Sequence, residues 1–170
     1  VDYHLKGLEK LGAKIELEGG DIIAKAKKLI GDKIQFDFPS VGATGNILMA
    51  ATLAKGETKI ENAAKEPEIV QLCEFLVSMG AQIEGIGTSE LKIEGVDDLA
   101  AQEIAVIPDR IEAGTFLIAG AALGEITLKN TVPEHLSVVI DKLIEVGAKI
   151  DIQNNDIIVK RSKNLNAVDI

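Results

Sequence analysis

Apolar and polar side chains alternate over residues 33–38, the period of a strand with one buried face. Over 40–54 charge gives way to Ala, Gly, Ile and Leu around most of a helical circumference, which predicts an enclosed helix. A short strand is expected at 58–62. An amphipathic helix follows at 67–79, with Ile69, Val70, Cys73, Leu76 and Val77 as its apolar stripe. Gly80 is placed to close that helix, because glycine enters the left-handed region without steric penalty. Strands 82–84 and 90–95 then pair across a Gly-rich turn at 85–89. One unit therefore reads strand, helix, strand, helix, hairpin.

The same pattern returns. Gly12, Gly80 and Gly147 each follow an amphipathic segment and precede a short apolar strand, at spacings of 68 and 67 residues. Upstream, Pro39 matches Pro108, Gly56 matches Gly124 and Asn62 matches Asn130, at spacings of 69, 68 and 68 residues. A further copy is expected over 103–161, and a partial one at the start, where Leu5, Leu8 and Leu11 line one helical face. All three glycines are predicted to have positive φ. Helices 40–54 and 110–123 are predicted to be the most buried, which inverts the usual layering and surrounds helices with sheets. The fold class is thus α/β, with repeated βαβαββ units. Residues 95–101 are the expected linker.

Charge and composition narrow the chemistry. The 170 residues carry 18 Lys and Arg against 27 Asp and Glu, a net charge of −9, which argues against holding a nucleic-acid backbone by bulk charge. With four Phe, one Tyr and no Trp there is no base-stacking platform. One cysteine and two histidines exclude a disulfide framework and a Cys- or His-rich metal site, so no metal is assigned. The longest apolar runs, 47–54 and 116–123, are far below the about 18 to 20 residues a membrane span needs. No leader pattern is present, and a cytoplasmic location is expected.

Candidate chemistry gathers at helix starts. Phe38-Pro39-Ser40-Val41-Gly42 joins a strand to the enclosed helix; Ser40 is a natural cap, and free N–H groups beside Gly42 suit an anion such as a phosphate. A capped helix without ligand explains the same residues. Asp109-Arg110-Ile111-Glu112 holds the equivalent place in the next copy, either as a capping box or as charge presented to a cleft. Glu66-Pro67-Glu68, with Pro at the first turn and acid near the helix's positive end, is ordinary helix-start chemistry. Cys73 reads as a buried inert thiol and His135 as solvent-facing; His4 beside Asp2 is a weak acid–base pair.

The strings Pro39-Ser40-Val41-Gly42-Ala43-Thr44, Asn62-Ala63-Ala64-Lys65-Glu66-Pro67-Glu68 and Pro108-Asp109-Arg110-Ile111-Glu112, in this order, resemble the UDP-N-acetylglucosamine enolpyruvyl transferase family across essentially the whole chain. The resemblance implies an inside-out α/β barrel, with 1–107 as the rear part of a first domain and 108–170 as the first unit of a second. It implies transfer of enolpyruvyl from phosphoenolpyruvate to the 3′-hydroxyl of UDP-N-acetylglucosamine, with release of phosphate. That is the first committed step of peptidoglycan synthesis, and it uses no metal or cofactor. Substrate-binding positions implied are Val1, Asp2 and Tyr3 at the uracil, and Phe38, Pro39, Ser40, Val41 and Gly42 at the uridine and diphosphate. Glu66, Glu68, Asp109 and Arg110 match cleft-lining charges. Many members carry Lys where Phe38 stands, and a longer polar residue where Gly45 stands.

In that family a Cys-x-x-Gly-x-Arg-Pro stretch, with the general-acid cysteine, directly precedes Val-Asp-x-His. Here Val1-Asp2-Tyr3-His4 opens the sequence, and Cys73 is not that cysteine's equivalent, so no catalytic residue is assigned. The chain alone is expected to be inactive and to bind the UDP-sugar weakly, with apolar surface at its cut ends favouring self-association. The alternatives are a non-catalytic binding or structural fragment, and the related 3-phosphoshikimate enzyme.

Overall fold

The computed structural model describes residues 1–169. Two compact units divide the chain, Val1–Val106 and Ile107–Ile170. In the first, helix α1 (Asp2–Lys10) leads into the hairpin β1 (Lys14–Glu18) and β2 (Asp21–Lys25). Gly19 and Gly20 form its loop, with φ of 62° and 94°, the double positive φ that lets a two-residue turn follow the strand twist. Then come β3 (Lys33–Gln35), α2 (Val41–Ala51), β4 (Glu57–Glu61), α3 (Pro67–Ser78), β5 (Gln82–Glu84) and β6 (Glu90–Glu94), a full βαβαββ unit. Its sheet runs β3-β4-β6-β5, with β3 and β4 parallel and the other pairs antiparallel.

Helix α2 is the centre of this unit. Ala43, Ile47, Leu48 and Ala51 are buried against Ile34 and Ile60, Leu91 and Ile93 of the sheet, Ile69, Cys73 and Leu76 of α3, and Leu11. The approach of α1 depends on Gly7, where a Cβ would lie 2.5 Å from Ile47 Cδ1. The expected enclosed helix is therefore present here. It is shorter than predicted, ending at Ala51.

The second unit contains α4 (Arg110–Leu123), β7 (Glu125–Leu128), a short 3₁₀ turn (Pro133–Leu136), α5 (Ser137–Val146), β8 (Lys149–Gln153) and β9 (Asp156–Lys160), with sheet order β7-β9-β8. Ala113, Leu117 and Ala121 of α4 meet Ile157 and Val159 of the sheet and Ile140 and Leu143 of α5. Gly12, Gly80 and Gly147 have φ of 93°, 109° and 101° at the ends of α1, α3 and α5, as the repeat predicts.

Four expectations are corrected. Helix α4 is not enclosed: Ile111, Phe116, Ile118 and Leu123 are exposed, because this unit offers one sheet and one helix and these cover a single flank. More of α4 than of α3 faces solvent. The unit's first strand is absent, since residues 103–107 pair with no strand; the Ala105 carbonyl accepts instead from Gln71 Nε2 on α3 (3.0 Å). Residues 95–101 are not a free linker. Gly95 N–H donates to the Gly56 carbonyl, Val96 N–H to Thr52 and Ala100 N–H to Met79, so the segment is fastened to the first unit. His135 is half-buried in the 3₁₀ turn, with an unpartnered Nδ1, rather than solvent-facing.

Candidate functional site

The start of α2 is built by its cap. Ser40 is extended (φ −121°, ψ 114°) and its Oγ accepts from Ala43 N–H at 3.3 Å. Val41 and Gly42 are the first two helical residues, and N–H groups at those positions have no intrahelical acceptor. The loop before them is open: Phe38 and Pro39 are exposed and Gly42 faces solvent. A helix start with a neutral cap and solvent-facing N–H groups favours an anion through its dipole.

Two hydrogen bonds lock this start from below. Thr44 is fully buried, and its Oγ1 accepts from Ala64 N–H at 3.0 Å. Asn62 takes φ of 57°, a turn that Asn tolerates better than most residues, and its Nδ2 donates to the Phe36 carbonyl at 3.0 Å. The segment containing Asn62, Ala63 and Ala64 thus clamps both sides of the 36–44 stretch. These two residues were not marked as site-builders in the sequence. The match of Asn62 with Asn130 (φ 56°) was the available signal, because a residue type shared at one repeat position points to a shared backbone demand.

Helix α1 brings the other predicted group to the same place. Tyr3 is half-buried, with its ring edge against Phe36 at a centroid separation of 5.7 Å and an interplanar angle of 61°. Val1 and Asp2 are exposed at the start of α1. A cleft of about 390 Å³ lies between Tyr3, Lys6 and Lys10 on α1 and Gln35, Phe36 and Asp37 of the strand end. The structure therefore unites Tyr3 with the approach to Ser40. His4 does not pair with Asp2. Its Nδ1 lies 2.6 Å from Asn46 Nδ2 on α2.

The remaining candidates lie at helix starts, each in its own unit. Glu66 is the extended cap residue of α3 and makes no side-chain cap bond; its Oε2 accepts from Lys65 N–H at 2.8 Å. Glu68 lies in the first turn of α3. Asp109 caps α4, with Oδ1 accepting from Ile111 N–H at 2.7 Å and Glu112 N–H at 3.2 Å, and Arg110 opens that helix. Asp109 thus satisfies the N–H groups an anion would need, and places a carboxylate where the anion would sit. Cys73 is fully buried, and burial, with Glu74 second, pushes its thiol up to about 11. Gly45 is buried where α2 meets α3, and a Cβ there would lie in van der Waals contact with Leu72 and Ile69.

Comparison with known proteins adds the following. The family description EPSP synthase (3-phosphoshikimate 1-carboxyvinyltransferase) matches residues 1–170. The chain is 55% identical over 172 residues to UDP-N-acetylglucosamine 1-carboxyvinyltransferase of Thermodesulfovibrio yellowstonii, and 52% identical to UDP-N-acetylglucosamine 1-carboxyvinyltransferase 1 of Staphylococcus aureus. In both cases all of this chain aligns with 41% of the relative, so the chain spans about two fifths of the length of the curated relatives it matches. Among solved structures, the enolpyruvyl transferase NikO from Streptomyces tendae superimposes with a TM-score of 0.82 at 20% identity, over 95% of this chain and 42% of NikO. EPSP synthase from Acinetobacter baumannii gives 0.69 at 24% identity, over 98% of this chain and 41% of that one. These two likenesses establish the fold, the α/β architecture of enolpyruvyl transferases.

Proposed function

The chain belongs to the EPSP synthase family, and from that premise we propose that it is part of a UDP-N-acetylglucosamine 1-carboxyvinyltransferase. In this reading residues 1–107 are the rear part of the first domain and 108–170 the first unit of the second. The reaction of the whole enzyme adds the sugar 3′-hydroxyl to C2 of phosphoenolpyruvate as C3 takes a proton. The resulting tetrahedral adduct then loses phosphate and a C3 proton to restore the double bond. The present residues supply binding. Val1, Asp2 and Tyr3 hold the uracil, and Phe38, Pro39, Ser40, Val41 and Gly42 hold the uridine and diphosphate. Glu66 and Glu68 in the first unit, and Asp109 and Arg110 in the second, are further charged positions assigned to substrate in this reading. The substrates are small soluble molecules of the cytoplasm, where we place the protein. Among the described residues no helix is long and apolar enough to cross a membrane.

The observation that carries the reading is the identity of 52–55% along the whole chain to relatives of that name, against 24% or less to the solved NikO and EPSP synthase structures. The joined starts of α1 and α2 support it, because a nucleotide diphosphate needs an apolar flank beside an anion-favouring backbone. The test is amide NMR of the 170-residue chain with millimolar UDP-N-acetylglucosamine or shikimate 3-phosphate. The UDP-sugar is expected to shift residues 1–4 and 38–42. A response to shikimate 3-phosphate alone would assign the chain to the sister activity. Phosphate release from both substrates is expected to stay at background for this chain. The exposed apolar residues of α4 are expected to cause self-association, read by sedimentation.

A further inference from the structure

We propose that Gln71 is a clip that ends the first unit at Ala105, so that turning between the two units is confined to residues 106–108. The Gln71 side chain is half-buried on α3, and its Nε2 donates to the Ala105 carbonyl at 3.0 Å, from 34 residues earlier in the sequence. Both partners belong to the first unit. Just before this stretch, Leu99 packs against the first unit's core and Ala100 N–H donates to the Met79 carbonyl at 2.8 Å. From Ala101 to Asp109 the backbone enters no helix or strand, and residues 101–106 are exposed. Gln71 takes hold of the stretch near its far end.

Chain reach shows what the clip changes. Eight residues, 101–108, separate Ala100 from Asp109, the cap of α4. Held at Ala100 alone, they could extend over about 27 Å, whereas residues 106–108 extend over about 10 Å. Pro108 narrows the joint again, because its ring fixes φ. Asp109 then starts α4 at once by accepting from Ile111 and Glu112 N–H. The repeat shows why a side chain is needed here. In the preceding copy, β3 is held by backbone pairing with β4. Residues 103–107 have no strand partner, and a glutamine amide, which offers the same donor and acceptor as a peptide group, takes that place. Asp109 and Arg110 directly follow the joint, so its length limits how far these charged positions can swing.

The experiment uses the ¹⁵N-labelled 170-residue chain. Backbone order parameters of the wild type are expected to stay near about 0.8 through Ala105 and to reach their minimum beyond it. Gln71→Glu keeps the size and an acceptor but removes the donor, and Gln71→Leu removes both. Each should lower the order parameters of residues 101–105. Each should also raise elastase cleavage within 101–106, read by mass spectrometry, about two- to tenfold, the population change that one hydrogen bond supports. The urea midpoint should hardly move, since Gln71 lies outside the buried core. If wild-type residues 101–105 are already as mobile as 106 and 107, or if both variants leave order and cleavage unchanged, there is no clip. Were the variants to lower the urea midpoint and loosen α3 itself, Gln71 would be a structural residue of that helix and the proposal would also fall. Should a variant fail to fold, the wild-type order profile still decides.

Discussion

Helices α2 and α4 hold the same place in successive copies of one repeat, yet their surroundings and their first turns differ. Helix α2 is covered by a four-stranded sheet, α1 and α3, and its cap is the neutral Ser40. Helix α4 is covered on one flank, and its cap is the charged Asp109. A hydroxyl cap satisfies one N–H and leaves the dipole unbalanced; a carboxylate cap takes two N–H groups and cancels the charge. The repeat therefore supplies two similar scaffolds, and the choice of one cap atom decides which helix start can receive an anion.

The largest test of that contrast is in packing. Leu48→Ala on α2 should cost about 2–5 kcal/mol in urea unfolding, because a fully buried leucine leaves a cavity. Ile118→Ala, on the open flank of α4, should change stability by no more than about 0.5 kcal/mol. Equal losses would mean that α4 is enclosed after all. Thr44→Val comes next, at about 1–3 kcal/mol, since the buried Ala64 N–H loses its acceptor. Position 113, the repeat partner of Thr44, is an alanine with no such bond, and Ala113→Ser should bring no comparable gain.

Exchanging the caps sharpens the comparison at its chemical centre. Ser40→Ala and Asp109→Ala should each cost about 0.5–2 kcal/mol. Ser40→Asp should preserve helix stability and abolish the UDP-induced shifts at Gly42, because the carboxylate then occupies the anion's place. Unchanged UDP binding in Ser40→Asp would break the distinction between the two starts.

A smaller contrast separates α3 from α5, where Cys73 and Ile140 sit on the same stripe. The buried thiol keeps its proton to about 11, while an unfolded chain releases it near the ordinary value of 9.0. The folded state then binds more protons between these values, so the Cys73 contribution is present below pH 9 and lost as pH rises toward 11. A Cys73→Val variant should show a shallower alkaline decline, and thiol reagents should label wild type only through opening of the fold. Smallest of all are the surface ion pairs. Lys59 bridges Glu61 and Glu90 at 3.4 and 3.0 Å on the exposed face of the first unit's sheet, and Lys160 meets Glu125 at 2.8 Å in the second. Lys59→Met should leave the urea midpoint nearly unmoved and insensitive to salt.

What the sequence determined by itself is local or periodic. The repeat, the amphipathic stripe of α3 and the glycine stops are legible because helix period and positive φ are demands a residue meets within its own turn. Ser40 and Asp109 were recognisable as caps for the same reason. The tertiary structure alone decided the rest. Pairing depends on what a segment's backbone meets in the fold, so 103–107 stayed irregular despite matching 34–38 in the repeat, with the Ala105 carbonyl taken by Gln71 of α3. Burial depends on how many neighbours a helix receives, so two helices of like composition ended in different surroundings. The pairing of His4 with Asn46, 42 residues away, follows from the close approach of α1 to α2 that Gly7 permits, and no period along the chain encodes it.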